Sequence, residues 1–103
     1  MIDLDPQHLE EAKHILARYA PEYEVWAFGS RVNGRAERNS DLDLVLVAAE
    51  KLDWPFLERL KDAFSESNLP FTVDILDWQA IDDNFREIIA QDYVILQRAT
   101  TST

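Results

Sequence analysis

The chain has no cysteine, which removes disulfide frameworks, thiol nucleophiles and thiolate metal sites at once. Glycine is almost as scarce. Gly29 and Gly34 are the only two, too few for a Walker phosphate loop or a dinucleotide-binding fingerprint. The two histidines, His8 and His14, lie on different faces of a predicted helix and read as solvated side chains, not as a metal pair. Basic charge is also short. Ten Lys and Arg stand against twenty Asp and Glu, and a net charge of −10 argues against general duplex-DNA or RNA binding, which depends on neutralising phosphates. No apolar run is long enough to span a membrane, and the opening stretch MIDLDPQHLEEAKHI starts acidic and becomes amphipathic, unlike a signal peptide. The expectation is a cytoplasmic protein.

At 103 residues and 47% hydrophobic composition, the chain supports one domain, residues 1–98, followed by a flexible tail, residues 99–103. It is too short for a catalytic domain plus a separate substrate-binding domain, so a site built here needs completion from elsewhere. Asp5 before Pro6 predicts a capped helix with Leu4 stapled onto Leu9 and with Ala12, Ile15, Leu16 and Tyr19 along one stripe, stopping at Ala20-Pro21. Glu24 to Phe28 and Asp41 to Val47 read as strands around a short helical turn from Ser30. A helix opening at Asp53-Trp54-Pro55 carries Phe56, Leu57, Leu60, Ala63 and Phe64; Phe71 to Leu76 is a third strand. Asp77 is placed to cap a last helical segment with Ile81, Phe85, Ile88 and Ile89, before a final strand from Tyr93 to Gln97. This order predicts an α/β (α+β) fold, a small mixed sheet flanked by helices. Trp26, Trp54 and Trp78 read as core or partner-facing anchors.

The stretch FGSRVNGRAERNSDLDLVLV, from Phe28 to Val47, holds both glycines and carries the chemistry. Alternation puts Asp41 and Asp43 on one face of a strand whose Leu42, Leu44 and Leu46 fill the other. Paired carboxylates in an apolar strand are unfavourable unless cations share the site. Asp74, on a later strand, adds a third carboxylate. Same-face neighbours sit about 6.6 to 7 Å apart, a spacing that suits two divalent ions roughly 3.5 to 4 Å from each other, the arrangement for in-line displacement at phosphorus. Hard oxygen ligands favour Mg2+ or Mn2+. Gly29 lets backbone approach a phosphate, Ser30 adds a hydroxyl, and Arg31 and Arg35 are placed to add charge to a triphosphate. Taken singly, each feature is as well read as a turn, a strand start or a solvated face; the combination points to nucleoside triphosphate chemistry.

Gly29-Ser30, ten intervening residues, Asp41-Leu42-Asp43 and the later Asp74 resemble the signature of the DNA polymerase β-like nucleotidyltransferases. More closely, GSRVNGRAERNSDLDL and the end FREIIAQDYVILQ are similar to the minimal nucleotidyltransferases encoded beside HEPN-domain partners. The resemblance implies Asp41, Asp43 and Asp74 as ligands of two Mg2+ ions, with Asp74 also orienting the acceptor hydroxyl. It implies Gly29 and Ser30 as phosphate binders, ATP as donor, AMP as the group transferred, and a HEPN toxin as the acceptor that is thereby neutralised. Two other classes fit the same residues: an antitoxin that masks its partner without catalysis, and the catalytic subunit of a two-chain enzyme modifying a small hydroxyl compound.

Overall fold

The protein, as a computed structural model, is described over residues 2–100. Its first helix, α1 (Pro6–Tyr19), starts where the Asp5 carboxylate accepts the Gln7 N–H at 2.9 Å, and Pro6, with no N–H to satisfy, takes the first helical position. Ala12, Ile15 and Leu16 form its buried stripe. Tyr19, assigned to that stripe by spacing, is 42% exposed at the last position of the helix.

The remaining elements follow in the expected alternation: β1 (Glu24–Phe28), α2 (Ser30–Asn33), β2 (Leu42–Val47), α3 (Trp54–Ser65), β3 (Val73–Asp77), a 3-10 turn (Trp78–Ala80), α4 (Asp83–Gln91) and β4 (Tyr93–Gln97). They build one four-stranded mixed sheet in the order β3-β2-β1-β4. β1 is antiparallel to β2 and β4, whereas β2 and β3, joined through α3, run parallel. Asp41 lies just before β2, and the first bond between β2 and β3 runs from Leu42 N–H to Thr72 C=O at 2.9 Å.

Strand periodicity sorts side chains between two clusters. Val25, Ala27, Leu42, Leu44, Leu46, Ile75 and Leu96 face α1 and α3, meeting Leu16, Leu60 and Phe64 in the main core. The opposite face holds a smaller cluster of Phe28, Val45 and Ile89, with Trp26, Leu76, Trp78 and Phe85 packed against it.

Three further expectations change. The segment after β3 is two capped pieces: Asp77 accepts from Gln79 N–H and Leu52 N–H, both at 2.9 Å, and Asp82 caps α4 through Phe85 N–H at 2.8 Å. Ile88, on the predicted apolar stripe of α4, is 63% exposed. His8 is half-buried with its ring edge-to-face against Phe71 at 5.7 Å, because the segment just before β3 brings that ring against the first turn of α1. Of the tryptophans, Trp26 stacks on Tyr93 at 4.0 Å and meets Trp78 edge-to-face, while Trp54 stands exposed at the start of α3. Thr100 N–H donates to Pro21 C=O at 2.9 Å; residues 101–103 of the expected tail lie outside the described residues. Among the described residues no helix is long and apolar enough to cross a membrane.

Candidate active site

β1 delivers the chain to Gly29, which has φ +82° and ψ −155°, a backbone region that essentially only glycine occupies. A second constraint acts at the same position. A Cβ on Gly29 would overlap the Asp43 Oδ2 atom. The pairing of Phe28 with Asp43 across β1 and β2 explains why, since the residue after Phe28 then lies beside the carboxylate. The glycine therefore makes room for Asp43, a task that the sequence did not suggest. From Ser30 the chain makes one helical turn, ended by Gly34 at φ +83°. The first N–H groups of such a turn have no partner within it, and no side chain caps them here.

Asp43 is also the parallel-strand partner of Asp74. Burial first, then the charges of Asp74 and Asp41, and lastly a hydrogen bond with Asp74 raise its carboxyl pKa from 3.8 to about 6. Thus Asp41, exposed before β2, and Asp74, exposed on the edge strand, both lie close enough to act on Asp43. None of the three is in an ion pair; the single salt bridge among the described residues joins Arg86 to Asp83.

Asp43 and Asp74 line a cleft of about 510 Å3 that also takes in Phe28, Lys61, Ile75 and Phe85. Lys61 and Phe85 were missed as site residues. The one signal for Lys61 was its place on α3, four residues after Leu57 and three before Phe64, where a charge interrupts an apolar stripe. Phe85 packs edge-to-face on Phe28 at 5.9 Å. Both rings also line a second cavity of about 360 Å3 that reaches Gly29 and Asn33.

The two arginines proposed for the triphosphate are placed differently from one another. Arg31 is 7% exposed and its guanidinium is already engaged: Nε donates to Ser40 C=O at 3.0 Å, Nη1 to Asp3 C=O at 2.9 Å and Nη2 to Arg38 C=O at 3.4 Å. It also covers the Phe71 ring at 4.4 Å, away from the carboxylate cleft. The Arg31 fork is thus spent on three carbonyls, and of the two arginines it is the less available to a phosphate. Arg35 is exposed beyond Gly34 with its side chain in no hydrogen bond or ion pair among the described residues.

The donor set suits a hard divalent cation: oxygen only, three carboxylates from β3 and the start of β2, and mutual repulsion that a cation relieves. Among the described residues no three acidic or histidine side chains enclose a common point. Asp41, Asp43 and Asp74 are the groups that would close on such an ion.

Residues 10–101 match the family model described as polymerase beta, nucleotidyltransferase. The chain belongs to that nucleotidyltransferase family. Over 96 residues it is 50% identical to the probable protein adenylyltransferase MntA of Haemophilus influenzae, covering 93% of this chain and 84% of that protein. A crystal structure of a mutant toxin–antitoxin pair, MntA–HpeT, superposes with a TM-score of 0.71 at 22% identity, over 89% of this chain and 73% of the other. A structure of a tri-AMPylated Shewanella oneidensis HEPN toxin with its MNT antitoxin matches with a TM-score of 0.60 at 20% identity, over 91% and 71%. At those identities the two structures speak for the fold. As a member of the family the chain is a nucleotidyltransferase, built on the mixed sheet that the element order predicted.

Proposed function

We propose that the protein is a Mg2+-dependent adenylyltransferase that moves AMP from ATP onto a hydroxyl of a HEPN-type toxin partner and thereby acts as its antitoxin. The observation that carries the reading is Asp43, in register with Asp74, packed over Gly29 and crowded by like charges. The name of the half-identical relative supports a protein acceptor and adenylyl transfer.

Gly29 and Ser30 hold the nucleotide phosphates: glycine keeps the turn free of a side chain, Ser30 offers a hydroxyl, and the uncapped N–H groups face the same turn. Arg35 remains the arginine free to meet the triphosphate. Asp41, Asp43 and Asp74 would hold Mg2+, which when bound would supply Lewis acidity at phosphorus and charge for the departing pyrophosphate. Asp74, at the exposed edge strand, orients the acceptor hydroxyl, while Phe28 and Phe85 wall the cleft on its apolar side. The acceptor comes from another chain.

Incubation of the protein with its partner, Mg2+ and ATP is expected to add AMP to the partner, read as a mass increase on the intact protein. Asp43→Ala lowers the rate by about 100-fold or more, on the scale of losing one transition-state charge stabiliser. Undiminished labelling by that variant overturns the role of Asp43, and toxin neutralisation that persists in it without ATP replaces catalysis with masking.

A further inference from the structure

Asp41 carries its charge at the end of an irregular stretch, residues 34–41, with no strand or helix to hold it. Its carboxylate has no hydrogen bond or ion pair among the described residues, yet it must stand within reach of Asp43. Backbone anchors on either side supply the constraint. Leu42 N–H is fixed to Thr72 C=O at 2.9 Å, and Ser40 C=O is fixed to Arg31 Nε at 3.0 Å.

We propose that Arg31 is a positioning residue for Asp41: its buried guanidinium clamps the 34–41 loop so that the Asp41 carboxylate stands within reach of Asp43. This rests on the reading of those carboxylates as the metal site. The clamp has several jaws. Nη2 reaches Arg38 C=O at 3.4 Å, two residues before Ser40, so two carbonyls of one loop are gathered on one group. Nη1 takes Asp3 C=O at 2.9 Å while Asp3 N–H donates to Arg31 C=O at 2.6 Å, tying the clamp to the segment before α1. The guanidinium face lies 4.4 Å from the centre of Phe71, next in sequence to the Thr72 that anchors Leu42. Arg31 thus touches the chain near both anchors that bracket Asp41. It also follows Ser30 directly, so the same residue sets the loop relative to the phosphate turn.

Only arginine fits this work. Three acceptors in different directions, plus an aromatic ring against a planar cation, match a rigid fork; the single ammonium of lysine cannot serve them together. The loop adds its own closure, with Ser40 Oγ accepting Glu37 N–H at 2.7 Å and Ser40 N–H donating to Glu37 C=O at 3.1 Å. That closure leaves the Ser40 carbonyl to Arg31.

The test compares wild type, Arg31→Lys and Arg31→Met in the complete chain by three measurements. In the metal-free protein, exchange of the Leu42 amide is expected to rise at least about tenfold in Arg31→Lys, while β1 amides keep their protection. Binding of Mn2+, followed by electron paramagnetic resonance, weakens about tenfold, and more in Arg31→Met. With the partner and ATP present, kcat falls about 10- to 100-fold, with KM for ATP within about twofold of wild type. Three results overturn the proposal. The first is unchanged Mn2+ affinity and Leu42 protection in folded Arg31→Lys. The second is a raised KM for ATP with kcat intact, which makes Arg31 a triphosphate ligand. The third is losses that merely track the unfolded fraction in thermal melts. A wild type that binds Mn2+ but transfers no AMP sinks the adenylyltransferase reading alone, and the first two measurements still decide the role of Arg31.

Discussion

The two faces of the sheet are made by alternate residues of the same strands and have opposite fates. On the face toward α1 and α3, Leu42, Leu44 and Leu46 are fully buried, and that face accounts for most of the core. On the other, Asp43 shares its face with Val45, and the smaller cluster under α4 stops short of it. One face is packed with apolar side chains; the other places like charges together and raises the pKa of one of them to about 6. The packed face holds the sheet against the repulsion that the open face generates. Stability and chemistry are separated by a single step along each strand, which is why neither compromises the other's residues.

The largest test of this division is Leu44→Ala. Removal of a fully buried side chain from the packed face is expected to lower unfolding free energy by about 2–5 kcal/mol, measured by urea denaturation. Activity per folded molecule stays close to wild type. A selective loss of transfer in the folded fraction breaks the separation of the faces.

Gly29→Ala comes next and probes the seam between them. The backbone at φ +82° strains any Cβ by about 1–3 kcal/mol, and that Cβ also displaces the Asp43 carboxylate. Nucleotide transfer should fall well beyond what the lost stability explains. An alanine variant that melts early but keeps full transfer per folded molecule would show that Asp43 tolerates displacement.

The smallest effect sharpens the contrast from the charged side. In the metal-free chain the folded pKa of Asp43, about 6, lies above its ordinary value of 3.8, so the native state holds the extra proton. The stability linked to that proton is present in full below pH 3.8 and is lost as pH rises through 6. Asp43→Asn removes the dependence and is expected to be more stable than wild type at neutral pH by about 1 kcal/mol, after discounting for solvent at this partly exposed group. Chemical denaturation at pH 4 and pH 7 checks it: the gain should appear at the higher pH, and Mg2+ should abolish it by stabilising wild type alone. A gain of equal size at both pH values would remove electrostatic repulsion as its cause.

Much of this was legible from residues alone because local rules applied. Asp5-Pro6 marks a helix start whatever the rest of the chain does, and the alternation from Leu42 to Val47 sorts Asp43 from the leucines before any partner strand is known, although β2 starts one residue later than the expected Asp41. The last helix was read less well. A continuous helical spacing from Ile81 to Ile89 hid the break between the 3-10 turn and α4, since Asp77 spends one oxygen on Leu52, a residue 25 positions away. Lys61 was invisible as a site residue because its stripe position gives no hint of which strand edge it overhangs.

The sequence by itself determined the alternation of helices and strands, the two-faced character of β2, and the pairing of Gly29-Ser30 with Asp41 and Asp43, all consequences of backbone periodicity and short-range chemistry. Only the tertiary structure decided that Asp74 lies opposite Asp43, that Gly29 is small for the sake of Asp43, and that Arg31 holds a loop where a phosphate contact was expected. Strand order and register arise from contacts between residues distant in the chain, and local periodicity contains no term for them.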